Sequence, residues 1–210
     1  MTKKLLRMET VSSTTQTFVP NGLINGEING IVHPSVNGTT KPSIDDDQPL
    51  FSPEYISPEV QALLPEGYTL RPLHRSDFFN GYLDVLRVLT SVGDFGFDKW
   101  NERYEWMRQR NGEYFLLVIC DGEGKVVGTG SLIVERKFIH SLGMVGHIED
   151  IAIAKNQQGK KLGLRMIQAL DYVAKKVGCY KSILDCSEAN EGFYVKCGFK
   201  RAGLEMAHYY

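Results

Sequence analysis

Two carboxylates with no spacer between them, Glu149 and Asp150, interrupt the apolar run His147-Ile148-Glu149-Asp150-Ile151-Ala152-Ile153-Ala154. The run is short and rich in β-branched residues, so it reads as a strand. Successive side chains of a strand alternate between faces, and one acid of the pair would then meet the core at high cost unless it is paired. A β-bulge is the irregularity that would turn both acids into one cleft. The plain alternative is an exposed strand face carrying one satisfied buried acid.

A second segment follows directly. Gln158-Gly159-Lys160-Lys161-Leu162-Gly163 lies between that strand and the helix that carries Leu162, Met166, Leu170, Val173 and Val177 on one face. A strand that turns into a helix through small residues exposes backbone N–H groups, which suit a phosphate or pyrophosphate. The segment matches neither the nucleoside triphosphate loop, which places Lys and a hydroxyl residue after its second glycine, nor the dinucleotide fingerprint. A different phosphate ligand is expected, and a tight βα turn with no ligand is the competing account.

The elements that must hold these residues are legible from periodicity. Tyr68 to Leu73 reads as a first strand, Asp77 to Leu89 as a helix, and Phe97 to Met107 as a second helix ending near Asn111-Gly112. Tyr114 to Cys120 and Lys125 to Phe138 flank the turn sequence Asp121-Gly122-Glu123-Gly124 and form an antiparallel hairpin. The strand from Gly146 to Ala154 leads through the glycine loop to a helix stopped by Gly178. Ser182 to Cys186 is a further strand, Asn190 to Lys196 a short helix, and Phe199 to Met206 a closing strand. This order predicts an α+β fold with helices packed on a mixed sheet.

Residues 1–48 contrast with this texture. Ser, Thr, Asn, Gly and Pro dominate up to the acidic run Asp45-Asp46-Asp47, so a disordered tail is expected there and one domain over residues 49–210. With 24 Lys plus Arg against 25 Asp plus Glu in 210 residues, there is no basic field to draw nucleic acid or an anionic membrane. No apolar run has the length of a membrane helix, and the start lacks the apolar core of a secretory leader. Cys120, Cys179, Cys186 and Cys197 are scattered, without the paired spacing of a zinc site. Reduced thiols in the cytoplasm and no metal are the expectation.

Both segments resemble the GNAT superfamily of N-acetyltransferases. Gln158 and Gly163 fill the outer positions of its Arg/Gln-x-x-Gly-x-Gly/Ala loop, with Lys161 where the middle glycine is usual, and Asn190-Glu191-Gly192-Phe193-Tyr194-Val195-Lys196-Cys197-Gly198-Phe199 is similar to its second motif. Five further stretches are similar to the eukaryotic glucosamine 6-phosphate N-acetyltransferases. They are Leu86 to Gly93, Glu135 to His140, Gly146 to Ala152, Gly178 to Lys181 and Leu184 to Cys186.

That resemblance implies a GNAT fold, with a central, mostly antiparallel mixed sheet flanked by helices. It implies acetyl-CoA as cosubstrate, a homodimer with a shared active site, and a place in UDP-N-acetylglucosamine synthesis. It also implies the bulge at Glu149 and Asp150. Glu149 would be the base that frees the amine, Asp150 would fix the sugar, and Tyr194 would protonate the departing thiolate. Ile151, Ala152 and Ile153 would pair with the pantetheine arm as an added strand. Gln158, Gly159, Lys160, Lys161, Leu162, Gly163 and Leu164 would hold the pyrophosphate, with Asp185 and Asn190 also near the cofactor. Lys137, His140 and Lys181 would meet the sugar phosphate, with Thr90 and Tyr180 adding hydroxyl contacts. Two other readings stay open: an acetyltransferase for a protein or another small amine, and a non-catalytic acetyl-CoA-binding module.

Overall fold

The computed structural model describes residues 47–110 and 112–210. Five strands, β1 (Thr69–Pro72), β2 (Tyr114–Cys120), β3 (Val126–Arg136), β4 (Met144–Ile153) and β5 (Cys179–Ile183), form one sheet whose spatial order is the chain order. The first four are antiparallel neighbours, and β5 joins β4 in parallel. This is the mixed, mostly antiparallel sheet expected from the sequence. Six of the seven β2 positions are buried, as its unbroken apolar run requires when both faces of a central strand are covered. Gly124, at φ +77°, supplies the left-handed residue that closes the β2–β3 turn.

The helices are α1 (Pro58–Ala62), α2 (Tyr82–Leu86), α3 (Phe97–Arg108), α5 (Leu162–Val177) and α6 (Glu188–Lys196), and α4 (Ile139–Leu142) is a single turn in which His140, Ser141 and Leu142 take left-handed angles. α5 is the main support of the sheet. Its inward face buries Leu162, Met166, Ile167, Leu170 and Val173, each contributing roughly 1.5–3 kcal/mol on leaving water. Gly178, at φ +96°, ends the helix in a left-handed cap.

Four expectations change. The helix read over Asp77 to Leu89 is two short pieces, a 3-10 turn Arg75–Phe78 and α2, because Gly81 sits between them at φ +93°. β5 begins directly at Cys179 and ends at Ile183, three residues ahead of the expected strand, because the Gly178 cap turns the chain straight into the sheet. The closing strand read over Phe199 to Met206 does not form within one chain. Leu204 and Met206 are 89% and 91% exposed there, and the segment pairs with no strand among the described residues.

The fourth change concerns where the domain begins. The expected tail up to Asp46 lies outside the described residues, but Asp47 and Gln48 belong to the folded part. Asp47 accepts hydrogen bonds from the Ser76 amide (2.8 Å) and hydroxyl (2.6 Å), and the Tyr104 hydroxyl donates to the Gln48 carbonyl (2.6 Å).

Within β3 and β4 the pairing slips. Thr129 faces Ala152 and Ser131 faces Glu149, so Gly130 alone opposes Asp150 and Ile151, which is a bulge in β4. Asp150 takes φ +54° to make it. Gly130 is required because a Cβ there would lie 2.6 Å from Ile151 Cδ1, 2.8 Å from Met166 Cγ and 2.9 Å from Leu170 Cδ1. Gly130→Ala is therefore expected to destabilise the fold by about 1–3 kcal/mol through overpacking. Denaturant unfolding checks this, and a midpoint equal to that of the wild type would contradict it.

Candidate active site

The bulge decides where the two acids point. Glu149 and Asp150 both line a cavity of about 1120 Å³ between the sheet and the α2–α3 segment. Thr90 and Ser91 from the α2–α3 connection, Ser131 from β3 and Arg103 from α3 share its wall. Leu86, Trp100, Met107 and Leu116 supply an apolar floor. Sequence reading missed Ser131 and Arg103. Ser131 is legible only once the shifted register sets it opposite Glu149, and Arg103 only once α3 is packed over the sheet.

The Glu149 carboxylate accepts no hydrogen bond among the described residues. Burial, followed by the charges of Asp150 and Asp185, raises its pKa above the ordinary 4.5, with Glu205 adding to this and His147 partly opposing it. A carboxyl group so placed is a better proton acceptor than one in water.

Beyond the acids the sheet opens. β5 pairs with β4 no further than His147↔Ile183, so from Ile148 to Ile153 the β4 edge facing β5 has no ladder partner among the described residues. Ile151, Ala152 and Ile153 lie along this open edge, available to an extended ligand. α6 follows β5 across the gap and carries Tyr194, whose phenol pKa is raised by burial and then by Cys186, Cys197 and Glu149. Tyr194 and Asp185 line a second cavity of about 440 Å³ against the C-terminal segment. Asn190 lies in the first turn of α6, its amide donating to the Ser187 carbonyl at 2.9 Å, and its side chain is exposed.

At the far end of the open edge lies the glycine loop. Gln158 closes a 3-10 turn (Lys155–Gln157), Gly159 takes φ +84°, and Lys161 is the left-handed N-cap of α5 at φ +60°. No side chain caps α5, so the Leu162, Gly163 and Leu164 amides of its first turn are open to an anion. The left-handed angle at Lys161 accounts for the glycine usual at that position, and this chain carries the strain of a side chain there. Gly163 lies under α6, where an added Cβ would meet Phe193 Cζ at 3.4 Å. The loop and the Phe193-Tyr194 pair are thus neighbours.

Lys137, His140, Tyr180 and Lys181 gather elsewhere. None lines the cavity that holds Glu149, Asp150 and Thr90. The His140 and Tyr180 rings lie 4.8 Å apart, the Lys181 ammonium is 5.7 Å from the Tyr180 ring, and Lys137 pairs with Glu135 at 2.6 Å. Glu135 also meets His147 at 2.9 Å. Among the described residues, no group of three His, Cys, Asp or Glu could hold a metal, and no helix is long and apolar enough to cross a membrane.

A sheet splayed at its parallel pair, a bulge at the splay and an uncapped helix behind a glycine loop together form a cleft suited to an extended, phosphate-bearing ligand. The chain belongs to the acetyltransferase (GNAT) family, whose model matches residues 70–199. It is 49% identical to the glucosamine 6-phosphate N-acetyltransferase of Candida albicans over 144 residues, 69% of this chain and 97% of that protein. The enzyme named glucosamine 6-phosphate N-acetyltransferase 1 in Dictyostelium discoideum is 43% identical, over 71% of this chain and 96% of that one. The crystal structure of glucosamine-6-phosphate N-acetyltransferase from Arabidopsis thaliana superposes with a TM-score of 0.67 at 35% identity, covering 68% of this chain and 98% of that one.

Proposed function

We propose that this enzyme transfers the acetyl group of acetyl-CoA to the amine of glucosamine 6-phosphate, giving N-acetylglucosamine 6-phosphate for UDP-N-acetylglucosamine synthesis. The observation that carries the reading is the β4 bulge, because it sets Glu149 and Asp150 on one cavity at the point where the sheet opens toward an uncapped helix. A binding module would need the loop but not the acids. A protein acetyltransferase would have no use for the cationic cluster of Lys137, His140 and Lys181.

The loop residues fit the cosubstrate. Open amides at Leu162, Gly163 and Leu164, flanked by Lys160 and Lys161, would hold its pyrophosphate, with Gln158 and Gly159 shaping the approach, and the acetyl thioester supplies the activated acyl group. The free edge from Ile151 to Ile153 would donate N–H groups to the pantetheine arm and to the thioester oxygen. Glu149 takes the proton from the sugar ammonium, directly or through one water, while Asp150 and Thr90 orient the sugar. Tyr194 returns a proton to the thiolate as it leaves, and Asp185 and Asn190 would lie near the cofactor. No covalent enzyme intermediate is required.

Lys137, His140, Tyr180 and Lys181 would receive the sugar phosphate in a site completed by a second copy of the chain. Phe138, 94% exposed, and the exposed Ile139, Leu142 and Tyr180 beside this cluster support a homodimer, since apolar side chains grouped at a surface mark contacts. The exposed Leu204 and Met206 extend the argument to the C-terminal segment, whose strand-like sequence lacks a partner within one chain. We place the dimer in the cytoplasm, with the residues before Asp47 as a tail outside the catalytic domain and no metal in the reaction.

Thiol release from acetyl-CoA tests the function. Glucosamine 6-phosphate is expected to support turnover and unphosphorylated glucosamine to support little. Equal rates with both sugars, or transfer to a peptide amine alone, would overturn the assignment.

A further inference from the structure

Lys160 is an exposed lysine held in place. Its ammonium donates to the Tyr68 hydroxyl at 2.8 Å and to Gln157 Oε1 at 2.7 Å, and the Tyr68 hydroxyl donates to the same Gln157 oxygen at 2.7 Å. The ammonium also lies 5.2 Å from the Tyr68 ring centroid. Both acceptors are neutral, and no carboxylate pairs with Lys160 among the described residues. An exposed lysine ordinarily keeps most of its rotamer freedom, so three mutual hydrogen bonds that fix one without cancelling its charge call for an explanation.

Tyr68 is itself fixed from two directions. Gln61 of α1 donates to the Tyr68 carbonyl (2.9 Å) and accepts from the Leu70 amide (2.6 Å), and the Tyr68 amide donates to the Pro65 carbonyl (3.1 Å). Its ring packs against the hydrophobic core. α1 in turn is anchored by Ser57, which accepts from the Val60 amide (3.2 Å). A continuous chain of contacts therefore runs from α1 through Gln61 and Tyr68 to the loop ahead of α5.

We propose that Tyr68 is a positioning residue for acyl-CoA binding: with Gln157 it holds the Lys160 ammonium, uncompensated, beside the open amides of α5, so that the loop presents a fixed positive charge to the phosphates of the nucleotide. The inference rests on the reading of the loop as the cosubstrate site. One of the three ammonium N–H groups is left over once Tyr68 and Gln157 are satisfied, and it is the donor available to a phosphate oxygen. Orienting the lysine before the ligand arrives removes an ordering cost from binding.

Five variants of the full chain test this by calorimetry with coenzyme A. Lys160→Met is expected to weaken binding about 10-fold and Tyr68→Phe about 3- to 10-fold, the range for losing or loosening one charge-assisted contact. Combining the two should add little to Lys160→Met alone. Lys160→Arg should retain most of the affinity. Gln157→Glu is the discriminating change, because it grips the lysine more firmly yet cancels its charge. Affinity should fall while the melting temperature holds, whereas a purely structural brace would be unharmed or improved.

In steady state, the Tyr68→Phe effect should appear in the Michaelis constant for acetyl-CoA, with that for the sugar and the turnover at saturation within about twofold of wild type. Wild-type binding of coenzyme A with Tyr68→Phe unchanged would overturn this inference alone. A wild-type protein that does not bind coenzyme A would overturn the loop assignment and this inference together.

Discussion

Tyr194→Phe should lower turnover by about 100- to 10,000-fold, the range that a positioned general acid contributes, and leave both Michaelis constants near their wild-type values. The packing argument is specific. The Tyr194 ring meets Phe193 edge-on at 5.0 Å and Phe199 at 6.3 Å, and its carbonyl accepts from the Phe199 amide at 3.0 Å. None of these contacts uses the hydroxyl, so phenylalanine keeps them and the melting temperature should hold. The raised phenol pKa keeps the proton in place through neutral pH, as a donor to a departing thiolate requires. Single-turnover thiol release isolates the chemical step from product release. A Tyr194→Phe enzyme with a wild-type chemical rate would remove the residue from the mechanism and assign the proton to water.

Glu149→Gln should be comparably severe, with a loss of about 100-fold or more in kcat/KM, because the amide keeps the shape but cannot accept the amine proton. Its pH and stability consequences follow from the raised pKa. Activity in the wild type should fall as pH drops through the Glu149 pKa, so the acid limb should lie above the ordinary carboxylate value of 4.5. For stability the sign is opposite to that of a salt-bridged acid. A pKa higher in the folded than in the unfolded state means that the stabilising contribution is full below the unfolded value and is lost as pH rises through the folded value. At neutral pH the charged Glu149 is therefore a burden on the fold, set by burial and by Asp150 and Asp185. Glu149→Gln should melt slightly higher than wild type at pH 7, and the difference should shrink as pH falls. Loss of melting temperature at pH 7, or an unaltered acid limb, would argue that Glu149 is a structural residue.

The same two acids show how far sequence carries the argument. Their adjacency in an apolar strand announces a local violation of alternation, and resemblance implies a bulge. The partner that makes the bulge possible, Gly130, lies in another strand, and no pattern around it marks a position where a Cβ would strike Ile151, Met166 and Leu170 at once. α5 was legible almost to the residue, because a 3.6-residue apolar stripe and a terminal glycine are local signals. β5 was misplaced by three residues, because a five-residue strand takes its bounds from the neighbour it pairs with. The 3-10 turn and the short α2 read as one helix, since apolar spacing persists across Asn80-Gly81 while the backbone does not.

Local chemistry thus determined the α+β class and the hairpin, and it marked the loop ahead of α5 and the paired acids as candidates, with the phenol added by resemblance. These depend on backbone preferences and side-chain types within a few residues of one another. Tertiary structure decided what faces what. The slipped β3–β4 register brought Glu149 and Asp150 to one cavity, and the end of β5 pairing at Ile183 left the β4 edge open. Tyr68 reached Lys160 across 92 positions of sequence, and the Lys137, His140 and Lys181 cluster was set apart from the acids. Such relations cost loop-closure entropy that is recovered only by the packed whole, so no short window of sequence contains them.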